Sequence, residues 1–84
     1  PLLQSLALGH CSHVTDLGIR QLTVLQNLRD LKLRGCNEIS DESLYFLSFM
    51  SNLRDLTITS CGYLTTTGQD YINYLPQLEH LVIQ

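Results

Sequence analysis

Two aspartates are the first residues in this chain of 84 residues whose type and spacing could support chemistry. Asp30 and Asp55 occupy the same place in two copies of the motif LRDL, which lie 25 residues apart. If these copies stack as neighbouring strands, the two carboxylates lie about 4.8 Å apart, and a carboxylate pair can act as general acid and base. Such catalysis also needs a cleft that excludes water and a third group that positions the substrate. An open strand surface offers neither, so we expect no enzymatic activity.

Three cysteines raise the alternative of a metal site, because His10 and His13 flank the first of them. Cys11, Cys36 and Cys61 are 25 residues apart, whereas zinc sites use cysteine pairs separated by about two to four residues. An odd number of cysteines at a regular interval also disfavours a disulfide framework. We therefore predict free thiols packed inside successive coils, with no metal and no cofactor, and a reducing compartment.

These candidate residues belong to a repeat that runs along the whole chain. The frame LxxLxLxxC begins at Leu3, Leu28 and Leu53, and its start recurs at Leu78. A fixed period of this size indicates a solenoid. Alternating leucines in each copy predict a short strand, and the apolar residues that follow at intervals of about three predict a helix with one inward side. We expect a single domain over residues 1–84, with repeats at about 1–25, 26–50 and 51–75 and a closing strand at 76–84.

The predicted helices have recognisable starting residues. Thr15 and Ser40 each precede an aspartate, and together they supply a hydroxyl for an unpaired N–H and a negative charge for the first helical turn. In the third repeat this start is less regular, and Thr66 with Gln69 predicts a capping box. Gln69 also replaces an apolar residue on the inward side. The inward positions are predicted to be Ile19, Leu22, Leu25, Leu44, Leu47, Met50, Ile72 and Leu75.

The first two repeats resemble the cysteine-containing leucine-rich repeat, LxxLxLxxCxxITDxGLxxL. The resemblance rests on Cys11 with Val14-Thr15-Asp16 and Gly18-Ile19, and on Cys36 with Ile39-Ser40-Asp41 and Leu44. The third repeat departs from the pattern at Thr66 and Gln69. The resemblance implies an α/β fold, a right-handed leucine-rich-repeat solenoid with a parallel sheet on its concave face and helices on its convex face. Similar arrays occur in F-box leucine-rich-repeat proteins, which select substrates for ubiquitin ligases, and in a small mitochondrial factor associated with ATP synthase.

The outward positions of the strands are the candidate binding surface. The period places Asp30, Asp55 and His80 in one row, and Lys32, Arg29 or Arg54 would neutralise the two like charges; a basic group on a partner is the alternative. We predict non-catalytic binding of another protein by this face, as substrate recognition in an F-box-like adaptor or, alternatively, as a structural or assembly subunit of a multi-subunit complex. The predicted partner-binding residues are Asp30, Lys32, Arg34, Asp55, Thr57, Thr59 and His80.

Charge and hydropathy exclude other classes of partner. The net charge is −3 and the five basic residues form no run, which disfavours nucleic acid. No apolar segment approaches the roughly 20 residues that span a bilayer, so we expect no membrane helix. The chain begins with Pro1 rather than Met, and terminal repeats need a polar cover, so we expect it to be a segment of a longer array. The expected location is intracellular, in the cytoplasm or nucleus, with the mitochondrion as the alternative.

Overall fold

The computed structural model describes residues 3–10, 13–60, 64–73, 75 and 77–84. Within these residues, strands and helices alternate along the chain as the period predicts. The elements are β1 (Ser5–Gly9), α1 (Asp16–Leu22), β2 (Asp30–Arg34), α2 (Asp41–Leu47), β3 (Asp55–Thr59), α3 (Thr66–Asn73) and β4 (His80–Ile83).

The strands form one parallel sheet in the order β1-β2-β3-β4. Its register pairs each residue with the equivalent residue of the next repeat, so that Leu31 lies between Leu6 and Leu56. Each strand lies beside the strands of the adjacent repeats, and each helix lies beside the helices of the adjacent repeats. This stacking confirms the predicted α/β solenoid, in which one coil of chain is laid against the next.

The hydrophobic core lies between the sheet and the helices. The inward residues of β2 and β3 are completely buried, whereas those of β1 and β4 are only partly buried. The helices contribute the predicted inward positions, and Gln69 is half-buried where Ile19 and Leu44 are fully buried in the other repeats. Burying each large apolar side chain contributes about 1.5–3 kcal/mol. The fully buried aliphatic residues are Ile19, Leu28, Leu31, Leu33, Ile39, Leu44, Leu47, Leu53, Leu56, Ile58 and Ile72.

The helix starts agree with the prediction in two repeats and differ in the third. The hydroxyl of Thr15 accepts a hydrogen bond from the Gly18 N–H at 3.5 Å, and that of Ser40 accepts one from Glu42 at 3.3 Å. In the third repeat Thr66 is already the first helical residue. Thr65 caps the helix instead, because its hydroxyl accepts from the N–H of Thr67 at 3.2 Å. The predicted capping box at Thr66 is therefore wrong by one residue.

A second role of the first-turn aspartates is to join neighbouring repeats. Oδ1 of Asp16 accepts hydrogen bonds from the Ser40 N–H at 2.8 Å and the Ser43 hydroxyl at 2.5 Å, and Oδ2 accepts from the Ser40 hydroxyl at 2.6 Å. Asp41 repeats this pattern on Thr65, at 2.8 Å to the N–H and 2.5 Å to the hydroxyl. We call these contacts the aspartate clamps. Each clamp ties one helix to the cap of the next.

The first clamp holds a carboxylate that is stable in its charged form. Burial by itself would raise the pKa of Asp16, but the hydrogen bonds from the hydroxyls and backbone of Ser40 and Ser43 outweigh it, so the pKa lies below its usual value. Ser43 is completely buried. Its hydroxyl therefore depends on this carboxylate, because burying an unpaired hydroxyl is costly.

Amide side chains join the repeats again where each helix leads into the next strand. Nδ2 of Asn52 donates to the Gln26 carbonyl at 2.7 Å, and Nε2 of Gln77 donates to the Met50 carbonyl at 3.2 Å. These two residues are 25 positions apart. They satisfy connector carbonyls that no helix or strand uses, which buried or half-buried backbone requires.

The cysteine prediction can be examined at one of its three positions. Cys36 is a completely buried cysteine, and its Sγ lies 3.8 Å from the carbonyl of Arg34, the last residue of β2. The thiol thus packs as a small apolar group with a weak donor. Cys11 and Cys61 lie outside the described residues.

Candidate functional site

The outward side chains of the four strands form the surface that we call the strand face. The parallel register puts them in rows across the sheet. Asp30, Asp55 and His80 share one row, and Lys32 and Thr57 share the next with Val82. Arg34 and Thr59 share the third row. The period therefore placed all seven predicted binding residues on one side of the sheet.

The side chain that lies against Asp55 in the acidic row differs from the prediction. Nδ1 of His80 lies 2.6 Å from Oδ1 of Asp55, an ion pair when the imidazole is protonated. Arg54 lies against Glu79 at 3.9 Å rather than against an aspartate. The predicted pairing of the aspartates with Lys32, Arg29 or Arg54 is thus not found in the described part of the chain. The signal for the histidine was present, since the period places it in this row.

Asp30 is the strand-face residue with a shielded oxygen that lacks a hydrogen-bond donor. Its Oδ1 is shielded from solvent and has no hydrogen-bond partner among the described residues. A shielded acceptor without a donor costs about 1–3 kcal/mol. A donor on another molecule would recover that energy once the carboxylate turns to expose this oxygen, which makes this position a candidate contact.

The basic side of the strand face lies at the opposite end of β2. Lys32 and Arg34 are exposed, and within the described ranges no ion pair or side-chain hydrogen bond involves either of them. Asp30 and Arg34 are four steps apart along the strand, which corresponds to about 13 Å. Along β2 the acidic Asp30 therefore comes first and the basic Lys32 and Arg34 follow it, while Arg29 directly precedes it.

The remaining positions of the strand face are small. Thr57 and Thr59 are half-buried, and Val82, which follows Thr57 in its row, is 40% exposed. The residues that the structure describes enclose no pocket. The face thus presents an open, mixed polar surface rather than a cleft around a small ligand.

The ion pair beside the strand face contributes little to its stability. Arg54 and Glu79 are 50% and 57% exposed, and exposed pairs of this kind are worth about 0–1 kcal/mol. Both side chains therefore remain adaptable to a partner's charges.

The described residues show neither a metal-binding cluster nor a membrane-spanning helix. They contain no group of three or more histidine, cysteine, aspartate or glutamate side chains arranged to hold a metal ion. None of the helices in these ranges has the length and apolar composition required to cross a membrane.

The comparisons with known proteins identify one of the repeats. Residues 24–48 match the family model described as a leucine-rich repeat, and this stretch contains all of β2 and α2. A comparison with curated proteins gives no significant match. Leucine-rich repeats typically bind other proteins. Because β2 and α2 form one of the coils that recur every 25 residues, with the strands in one parallel sheet, the chain is an α/β leucine-rich-repeat solenoid whose repeat type indicates a protein–protein interaction module.

Proposed function

We propose that the strand face binds another protein without catalysing a reaction. The observation that carries this proposal is the shielded Oδ1 of Asp30, which has no hydrogen-bond partner among the described residues. Further along β2, Lys32 and Arg34 are exposed and form no ion pair in the same residues. A partner with a hydrogen-bond donor or cation at the first position and acidic groups near the other two would satisfy all three. Charge arranged in this way orients a partner and raises its association rate more than it raises affinity.

The size of the strand face indicates how much of an interface it supplies. Four strands of about five residues, spaced by about 4.8 Å, cover roughly 250 Å². A stable interface uses about 800 Å² on each partner. The proposed interface therefore extends onto flanking residues, of which Arg29 and Arg54 are exposed and lie directly before β2 and β3.

The finer function that we propose is substrate or partner recognition in an F-box-like ubiquitin-ligase adaptor. It is supported by the resemblance of the first two repeats to arrays of that class, through Cys36 and Ile39-Ser40-Asp41 in the second. We propose a reducing, intracellular location, because three cysteines at a regular interval do not form a disulfide framework. The second candidate is a structural or assembly subunit of a large complex, which the mitochondrial members with similar arrays suggest.

Charge reversal on the strand face tests the binding proposal. Proteins captured by the unmodified protein would be compared by quantitative mass spectrometry with those captured by the variant Asp30→Lys, Asp55→Lys. The control variant Gln21→Lys, Asn37→Lys, Glu38→Lys makes the same change in net charge on exposed residues outside the strands. We expect one set of partners to be lost from the strand-face variant alone, with its unfolding temperature retained. Equal capture by both variants would contradict the proposal.

Protein turnover separates the two biological candidates. In the adaptor reading, removal of this protein lengthens the lifetime of the captured partner and lowers its ubiquitylation. In the assembly reading, the partner co-purifies in fixed stoichiometry and its ubiquitylation does not change. A partner that follows the second pattern would refute the adaptor role and leave the binding surface intact.

A further inference from the structure

A cluster of aromatic rings lies on the helices, on the other side of the core from the strand face. Tyr45 of α2 contacts Phe46, Phe49 and Tyr71, with ring centroids 6.0, 5.1 and 5.3 Å apart. The contact with Tyr71 joins α2 to α3. The rings of Tyr45 and Phe49 meet edge to face at 89°, a favoured arrangement that holds each ring in a defined orientation.

These rings are more exposed than internal packing requires. Phe49 is 61% exposed, Tyr45 is 45% and Tyr71 is 42%. Val24, which occupies the position equivalent to Phe49 in the preceding repeat, is 69% exposed. Single exposed apolar residues are ordinary, but a contiguous, rigid group of them marks an interaction surface.

The charges beside the rings are all negative. Glu42 lies one helical turn before Tyr45 and Phe46, on the same side of α2. Asp70 on α3 is equivalent in register to Tyr45 on α2. Both acids are exposed, and neither takes part in an ion pair or side-chain hydrogen bond within the described ranges.

Basic residues are absent from this part of the sequence. The chain has no lysine or arginine between Arg34 and Arg54, and none after Arg54. Both of these arginines lie on the strand side of the solenoid. The basic residue that lies on a helix is Arg20, on α1. The helices α2 and α3 therefore present aromatic rings and unpaired carboxylates with no cation of their own.

We propose that this convex patch, made of Tyr45, Phe46, Phe49 and Tyr71 with Glu42 and Asp70, docks a protein segment that carries arginine side chains among apolar ones. A guanidinium stacks on aromatic faces and pairs with carboxylates, and it loses less hydration than an ammonium group. The apolar side chains of the segment would cover the exposed ring edges. The patch is separate from the strand face, so this interaction stands whether or not the strand face binds.

Synthetic peptides test the patch directly with the whole protein. The probe is a labelled amphipathic helix of leucine and arginine, with two matched peptides in which lysine or glutamate replaces every arginine. Binding would be followed by fluorescence anisotropy at low and physiological salt, and located by NMR shift changes. We expect the arginine peptide to bind most tightly, the lysine peptide less tightly and the glutamate peptide not to bind.

Variants of the patch are compared with matched controls. We expect Tyr45→Ser, Phe49→Ser to weaken binding of the arginine peptide at least about tenfold, as loss of aromatic anchors does, whereas Val24→Ser leaves it nearly unchanged. We expect Glu42→Gln, Asp70→Asn to weaken it at least about fivefold. The control Glu38→Gln, Glu79→Gln removes the same charge elsewhere and should change affinity less than about twofold, because distant exposed charges are screened.

Four results would overturn the proposal. The first is absence of binding by the arginine peptide at about 1 mM, which is weaker than specific recognition requires. The second is an equal effect of the control and patch variants, which would show charge attraction without a site. The third is a set of NMR shift changes confined to the strand face. The fourth is concentration-dependent dimerisation lost in the Phe49→Ser variant, which would make a second copy of the chain the occupant.

Discussion

The first aspartate clamp provides the sharpest stability prediction. Replacing Asp16 by alanine removes the acceptor of three hydrogen bonds, two from Ser40 and one from Ser43. The hydroxyl of Ser43, which is completely buried, then has no acceptor, at a cost of about 1–3 kcal/mol. The Ser40 groups are partly buried and can be rehydrated, so their loss adds about 1 kcal/mol. We expect Asp16→Ala to lower the free energy of unfolding by about 2–4 kcal/mol.

A double-mutant cycle isolates the clamp from other roles of the aspartate at the helix start. Ser43→Ala removes the buried hydroxyl itself and should cost about 1 kcal/mol. The double variant Asp16→Ala, Ser43→Ala contains no buried hydroxyl without an acceptor. Its loss of unfolding free energy should therefore be smaller than the sum of the two single losses by at least about 1 kcal/mol. Urea unfolding followed by circular dichroism gives these values, provided that the denaturant slope is the same in each variant.

The second clamp is the internal control for this cycle. Asp41 holds only Thr65, which is exposed, and the position equivalent to Ser43 is Gly68. No buried hydroxyl is orphaned there, so Asp41→Ala should cost about 1 kcal/mol. Additivity within about 0.5 kcal/mol in the first cycle, the behaviour of independent sites, would refute the clamp as an energetic unit. An equal cost at the two aspartates would refute the role assigned to the buried hydroxyl.

Three further predictions follow from burial and spacing. The pKa of Asp16 is lowered from its usual 3.8, so the stability that its carboxylate contributes is complete above that value and is lost as the pH falls through the folded-state pKa. The unfolding free energies of native protein and Asp16→Ala should therefore converge only below about pH 4. A difference between the two that is unchanged at pH 2.5 would contradict this. A Cβ on Gly68 would lie 2.9 Å from the Cβ of the clamping aspartate and closer still to its carboxylate, whereas one on Gly18 would have its nearest neighbour at 3.8 Å. Thermal unfolding should therefore show Gly68→Ala destabilised and Gly18→Ala neutral or stabilised by up to about 1 kcal/mol, and the reverse order would refute the packing argument. Leu33→Ala in a completely buried strand position should cost about 2–5 kcal/mol and Leu8→Ala, half-buried on β1, distinctly less; equal costs by urea unfolding would contradict the burial difference.

The period made the solenoid predictable, because stacking identical coils in register is the way that each one buries its apolar side. The same argument placed Asp30 and Asp55 side by side, as the register confirms. The period also places Tyr71 and Tyr74 beside Phe46 and Phe49, which predicts an aromatic seam between neighbouring helices; in the structure Tyr71 contacts Tyr45 of the neighbouring helix. Tyr74, predicted to join that seam, lies outside the described residues.

Side-chain partners were less predictable than backbone placement. The period cannot decide which of several long side chains reaches a carboxylate, and His80 rather than Lys32 or an arginine lies against Asp55. The clamps were missed because an aspartate in the first turn already has a local explanation in the helix dipole. Their signal was Asp16 and Asp41 at the repeat interval, each followed 24 residues later by a hydroxyl residue.

The third repeat shows where the pattern itself changes. Threonines in succession, Thr65 and Thr66, offer two equivalent caps, and sequence alone does not choose between them. The structure selects Thr65, because only this residue is placed to bond the carboxylate of Asp41 as well as the N–H of Thr67. Tertiary contacts thus decide a boundary that local preference leaves open.

Affinity measured on the strand face tests the central proposal most directly. A partner captured by the protein would be titrated against the native form and against Lys32→Glu, Arg34→Glu, with association rates recorded at low and physiological salt. We predict at least about a tenfold loss of affinity, expressed largely as slower association that becomes less dependent on salt. Affinity within about twofold of the native value, together with an unchanged salt dependence, would show that the strand face is not where this protein binds.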